Sequence, residues 1–364
     1  MLQHFKGSLI FTVIALALAG FNGYAQAPNG AVLAATAAAV FIAMVLGVME
    51  TSLSLDNAVV NATVLRDMDD KWRRRFLTWG ILIAVFGMRI VFPLAIVSIA
   101  GWVSPLEAIR IAVSDHDKYE AIVTGAHIGI SGFGGAFLAL VGLSFFFDDD
   151  REHLWLPVIE KPLAAMAKIP YIPYIVTVAI IAGLSLLLEG GDRNTFLIAG
   201  LSGVATYLAV QLFGDYMNKE DASGVVVRSG AASFVYLEVL DASFSFDGVI
   251  GAFAITNDIV MIALGLGIGA MFVRSMTVAL VKGGTLNEYR YLEPGAFYAI
   301  IALAAIMLLS IRIHTPEVIT GLIGAAFIGA AFWASVRHKR LFPEEYAEDG
   351  DNEVILPTGD VVKG

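Results

Sequence analysis

The sequence contains no cysteine. A disulfide framework and a thiolate metal site are therefore both excluded. Charge is also scarce. Only 15% of the 364 residues are charged, where a soluble domain carries about a quarter. The 23 Lys and Arg form no basic run long enough for nucleic-acid binding, and the net charge of −10 points to no partner class. What is abundant is apolar residues, at 58% of the chain. Carried in runs of helix length, that composition predicts an all-α polytopic membrane protein whose first partner is the lipid bilayer.

About nine to ten transmembrane helices are expected. The first runs over about Phe5 to Tyr24. It is read as a retained helix, although Ala25-Gln26-Ala27 resembles a signal-peptidase site. The others cover roughly 31–65, 77–102, 121–147, 171–189, 196–213, 229–255, 259–281, 295–311 and 317–336. Basic residues recur at every second connection: Arg66 with Lys71 and Arg73 to Arg75, then Lys161 and Lys168, Lys219 and Arg228, Lys282 and Arg290, and Arg337 with Lys339 and Arg340. Since basic loops stay inside, both termini are expected in the cytoplasm and the protein in the inner, plasma membrane. One membrane domain over 1–336 is expected, followed by an acidic cytoplasmic tail over 337–364.

Inside the second apolar run stands Glu50-Thr-Ser-Leu-Ser-Leu-Asp56-Asn57, and the same frame returns as Asp241-Ala-Ser-Phe-Ser-Phe-Asp247-Gly248. Carboxylates in the middle of a bilayer cost about 2.5–3.5 kcal/mol each on insertion scales and mark functional sites. By the helix count the two copies, in halves 31–147 and 229–311, cross the membrane in opposite directions. That is the mark of an inverted repeat with its site at the interface of the halves. At helical spacing Glu50, Ser54, Asn57 and Asn61 share one face, and Glu238, Asp241 and Ser245 share another. Asp56 and Asp247 fall off these faces. They join them only through a local break, for which Gly248 is a candidate, or else they meet Arg89 or Arg274 on the following helices. Five acids against two arginines leave an excess of three negative charges, which calls for protons or a cation. Oxygen donors without His or Cys suit Mg²⁺, Mn²⁺ or Ca²⁺. Structural ion pairs between helices are the competing reading of each acid. His127 and the glycines Gly125, Gly129, Gly132, Gly134 and Gly135 read as packing residues.

At these positions the chain resembles the TerC family of integral membrane proteins. The likeness is carried by Glu50 through Val60 with Leu53-Ser-Leu-Asp-Asn-Ala58, by the helix from Gly80 to Arg89, and by Glu238-Val-Leu-Asp-Ala-Ser-Phe-Ser-Phe-Asp-Gly248. It continues through Phe253-Ala-Ile-Thr-Asn-Asp258 to Arg274. The resemblance implies inverted three-helix repeats and export of a divalent metal, chiefly manganese, with an older association with tellurium-oxyanion resistance. It implies Glu50, Asp56, Asn57, Glu238, Asp241 and Asp247 as the ion site, supported by Ser54, Arg89, Ser245 and Arg274. The Ser-rich second motif and the extra helices around 171–213 depart from compact members. No permanently bound cofactor and no enzymatic activity are expected, the cation being the substrate. Two alternatives stand beside transport: a non-transporting accessory protein for envelope stress or membrane-protein assembly, and an intramembrane aspartyl protease using Asp247 and another acid.

Overall fold

Apolar runs with few breakers fold as helices here because every backbone polar group in a bilayer must be satisfied within the segment. The computed structural model describes residues 2–27, 31–66, 68–80, 82–151, 153–217, 219–220, 226–227, 230–253, 255–256, 258–283, 285–313 and 315–342. In chain order the helices are α1 (Leu2–Gln26), α2 (Val32–Leu53), α3 (Leu55–Arg66) and α4 (Asp70–Arg75). Two π-helical stretches follow, Phe76–Gly80 and Ile83–Val91, leading into α5 (Phe92–Ala100). Then come α6 (Pro105–Ser114), α7 (His116–Gly125), α8 (His127–Phe146), α9 (Pro157–Ala165), α10 (Ile172–Ser185) and α11 (Gly190–Met217). The last are α12 (Gly230–Phe253), α13 (Ile259–Lys282), α14 (Thr285–Glu288), α15 (Leu292–Leu309) and α16 (Glu317–Leu341). A two-residue antiparallel ladder, Lys219–Glu220 against Val226–Val227, departs from the all-α pattern among the described residues.

Seven described helices are long and apolar enough to cross a membrane, or nine if each of two sharply bent pairs is one span. The bent pairs join Phe86–Ala100 to α6 at 109° and Pro157–Lys168 to α10 at 108°. Helix α12 has the length, 24 residues, and falls outside that set because it carries Glu238, Asp241 and Asp247. With α12 included, each expected span has its helix. The protein is thus a multi-pass membrane protein. Large apolar side chains such as Val13, Phe41 and Ile198 lie on its outer surface, where lipid accommodates them.

Some expected boundaries are corrected. The span 31–65 is two helices interrupted at Ser54, and 121–147 is α7 and α8 interrupted at Ala126. The connection 103–120 holds α6 and the start of α7. Helix α16 runs past 336 to Leu341, with His338, Lys339 and Arg340 in its last turn, where cations complement the helix dipole. The acidic stretch from Pro343 onward lies outside the described residues. Gly125 has open space around it and is no packing glycine, whereas Gly132, Gly134 and Gly135 abut Phe196, Met307 and Leu308.

The first motif helix and α12 run in opposite directions. Gly230 sits against Asp69, Asp241 accepts from Asn61, and Gly248 sits against Glu50. Position in one helix falls as position in the other rises. Each motif helix also packs on the arginine helix of the other half: α2 and α3 on α13, and α12 on the π-helical stretch ending at Val91. Gly265 and Gly80 occupy matching places in this exchange, against Leu46 and against Glu238.

Packing divides into two main clusters. One joins α3, α8, α11, α12 and α15 around Phe137, Phe196, Leu237 and Ile300. The other joins α2 and α5 to α7 with α13 around Leu46, Tyr119 and Ile262. Helix α1 packs on α2 and α13. It buries Ser8 against Ser275, and its Asn22 donates to Asp258 at 2.6 Å. Asp258 in turn caps α13 by accepting from Val260 and Met261.

Candidate ion site between the two halves

Where the halves meet lies a cavity of about 40 Å³, which has room for about three waters or one small ion with little hydration. The first half lines it with Ser54, Asn57, Asn61, Phe76, Gly80 and Arg89. The second half contributes Asp241, Ser245, Ala270, Val273, Arg274 and Thr277.

The break at Ser54 opens this site. Irregular backbone at membrane depth is tolerated only where protein buries it or where it lines a cavity, and here it lines the cavity. Thr51 and Ser52 turn their hydroxyls back onto the carbonyls of Gly47 and Val48, which supports the last turn of α2. Asp56 lies in the first turn of α3. There a carboxylate lies favourably at the positive end of the helix dipole, beside the amides that a helix start leaves without partners. It faces Gly324 of α16, whose Cβ position lies 3.7 Å from the carboxylate carbon. The expectation that a break would swing Asp56 onto the polar face is therefore corrected: the break occurs, and Asp56 stays outside the cavity wall in the first turn of α3.

Glu50 and Arg89 form a buried ion pair through Arg89 Nη2 and Glu50 Oε1, with side chains 3% and 6% exposed. Arg89 thus has Glu50 as its carboxylate partner and not Asp56. Ser54 Oγ adds a long contact of 3.4 Å to the same carboxylate oxygen. Gly248 and Gly269 leave the space that Glu50 fills, and a Cβ at either would collide with it. Gly248 therefore serves as clearance. Helix α12 passes through it without unwinding.

Across the cavity, Asn61 Nδ2 reaches Asp241 Oδ1 at 3.4 Å. Arg89 is near enough to Asp241 to act on it electrostatically. One turn earlier on α12, both oxygens of Glu238 are buried without a hydrogen-bond partner among the described residues. The carboxylate is tucked against Gly80, whose Cβ position is 3.1 Å from Glu238 Oε1. Asn57 Oδ1 and Asn61 Oδ1 are likewise buried and unpartnered, and both residues line the cavity. Such atoms are uncommon, since each costs about 1–3 kcal/mol unless something satisfies it.

Of the six expected ion-site residues, Asn57 and Asp241 line the cavity. Glu50 and Glu238 stand just behind its wall, and Asp56 faces α16. The side chain of Asp247 lies outside the described residues. All four supporting residues, Ser54, Arg89, Ser245 and Arg274, line the cavity. Asn61 and Thr277 belong to it as well. Their signal was spacing: Asn61 follows Asn57 by one turn, and Thr277 follows Arg274 by three residues. Among the described side chains, Glu50, Asp56, Glu238 and Asp241 stand against Arg89 and Arg274, an excess of two negative charges when all are ionised; Asp247, the fifth acid of the expected count, lies outside the described residues.

Two other polar groups, buried Glu160 and half-buried His127, have protein partners away from the cavity. Glu160 accepts from Arg151 at 2.8 Å, from the amides of Trp155 and Leu156, and from Tyr298, so it is a satisfied structural ion pair. His127 meets Ser131 at 3.4 Å beside Ser310, consistent with a packing role. The exposed trio Asp148, Asp149 and Asp150 lies outside this site.

The profile of a family described as a protein of unknown function (DUF475) matches residues 55–342. The chain belongs to this family. The match takes in α3, the arginine of each half and the whole second motif, and it begins just after the break at Ser54. No curated protein and no solved structure matches the chain.

Proposed function

We propose that this protein is a membrane transporter of a divalent cation, Mn²⁺ first and Ca²⁺ or Mg²⁺ as alternatives, and that the cavity between the halves holds the cation in passage. The observation that carries the reading is the pair of buried, unpartnered oxygens of Asn57 and Asn61 on the cavity wall. A hard cation supplies what both lack. Asp241 and the hydroxyls of Ser54, Ser245 and Thr277 complete an all-oxygen donor set suited to such ions. The buried acids of the motif helices outnumber the two arginines, which favours a cation. The opposed motif helices agree with transporters built from inverted repeats, whose sites lie at the repeat interface. The likeness to TerC proteins points the same way, to metal export, and the basic residues at every second connection favour both termini in the cytoplasm.

The test is flux. The purified protein in liposomes with an internal metal-sensitive dye is expected to pass Mn²⁺, and Asn61→Ala is expected to abolish passage while the protein stays folded. No flux of Mn²⁺, Ca²⁺ or Mg²⁺, together with unchanged metal content in cells with and without the protein under metal or tellurite challenge, overturns transport and favours the accessory role. Reporter fusions at positions 70 and 340 that land on opposite sides of the membrane overturn the orientation.

A further inference from the structure

A second cavity, of about 420 Å³, lies along the same groove between α3 and α13. It begins where the ion cavity ends: Leu65 follows Asn61 by one turn, and Val278 follows Thr277 directly. Its size falls in the range of ligand pockets, about 300–1,000 Å³. Its charged lining is basic, with Arg73, Arg74 and Lys282 against the single acid Asp70. Its apolar lining is Leu65, Val278 and Val281.

The basic groups are not equivalent. Arg73 is fully committed: it donates to the carbonyls of Leu65, Arg66 and Met68 and to Asp70 at 2.9–3.1 Å. It closes the C-terminal end of α3 and neutralises Asp70. Arg74 spends only its Nε, on the Asp70 carbonyl at 3.2 Å. Its two terminal nitrogens and Lys282 Nζ have no protein partner among the described residues. Two uncompensated cations thus face one cavity at the ends of two membrane helices, with valines leading back along α13.

We propose that this cavity binds an anionic phospholipid, its phosphate held between Arg74 and Lys282 and the start of an acyl chain lying along Val278 and Val281. A guanidinium pairs with two phosphate oxygens and an ammonium supplies a point charge. Basic pockets between membrane helices select anionic headgroups for this reason. The apolar lining favours a lipid over free phosphate, which has nothing to place there. A bound headgroup ties α3 to α13, the two helices that carry Asn57, Asn61, Arg274 and Thr277. The inference stands apart from the ion reading.

The experiment uses the full chain in detergent. Phosphatidylglycerol, phosphatidylcholine and inorganic phosphate are titrated separately, with retained lipid followed by native mass spectrometry and stability by thermal unfolding. Phosphatidylglycerol is expected to be retained and to raise the Tm, and phosphatidylcholine to do neither. Arg74→Gln with Lys282→Gln is expected to weaken phosphatidylglycerol binding roughly 30-fold, as for two lost contacts to an anionic headgroup. Arg340→Gln on α16 leaves binding unchanged. If the double variant fails to fold, Lys282→Gln alone, at an exposed position, serves with a smaller loss. Equal retention by the variants, equal binding of phosphatidylcholine, or no retained lipid overturns the site. Stabilisation by inorganic phosphate to the same degree as by lipid overturns the lipid assignment in favour of a free anion.

Discussion

In the first half the motif helix stops at Ser54 and restarts at Leu55, and the helix after it is π-wound from Ile83 to Val91. In the second half α12 runs unbroken from Gly230 to Phe253, and α13 stays α-helical from Ile259 to Lys282. The acidic frame is nearly the same in both. The irregular half carries Asn57, Asn61 and the fully buried Arg89. The regular half supplies Asp241, Ser245 and a half-buried Arg274 as a straight surface. A repeated sequence frame therefore transmits helix direction and the position of charge without transmitting local winding. π-helical turns inside longer helices recur at functional sites, and this one ends two residues after the arginine that holds Glu50.

The largest test of that asymmetry removes the arginines in turn. Arg89→Met strands Glu50 in a buried setting and is expected to cost about 3–5 kcal/mol, read as lost folded protein and a lowered Tm. Arg274→Met is expected to cost clearly less, since its side chain is only half-buried. The double variant Glu50→Gln with Arg89→Met should recover much of the loss. Equal losses at Arg89 and Arg274 would mean the halves are energetically alike.

The clearance glycines come next. Gly248→Ala pushes a methyl into Glu50 and is expected to destabilise by about 1–3 kcal/mol as overpacking. Gly80→Ala meets Glu238 Oε1 at 3.1 Å and Phe76 at 3.2 Å, contacts that small shifts relieve, so its cost should stay under about 1 kcal/mol. Thermal unfolding of the two variants side by side decides the order.

The third test separates the cavity wall from the first turn of α3. Asn61→Ala removes a buried oxygen and the partner of Asp241, so Mn²⁺ affinity by calorimetry should fall at least about 10-fold, worth 1.4 kcal/mol. Asp56→Asn removes a charge from the first turn of α3 and leaves the wall intact. Its effect should be the smallest, about 0.5 kcal/mol of stability for one lost charge–dipole interaction, with Mn²⁺ affinity lowered less than at Asn61. A larger loss of affinity at Asp56 than at Asn61 would return Asp56 to the ion site.

The acid frames, the two arginines and the helix-length runs were legible before any fold was known. Each is a charge or an apolar stretch whose meaning depends on neighbours within one or two turns. Glu160 was not legible as a buried acid. It sits in a proline-rich connection, and its burial comes from Arg151 and Tyr298, the latter 138 residues away. Gly248 was visible as an oddity and misread as a hinge, because its purpose is set by Glu50 on another helix. Asn61 was on the right face, but nothing nearby distinguished it from an ordinary polar residue.

Residue order along the chain accounts for the membrane class, the number of crossings and the duplicated acidic frame, because hydrophobicity and helical periodicity are local properties that a bilayer enforces segment by segment. Which carboxylate meets which arginine follows from how the halves interlock. Glu50 pairs with Arg89 in a space opened by Gly248 and Gly269 of the other half, and Asp56 turns to α16 from the first turn of the helix that restarts after Ser54. Those choices depend on atoms brought together from opposite ends of the chain, where the cost of an unpaired buried charge selects one partner among several that local spacing allows equally.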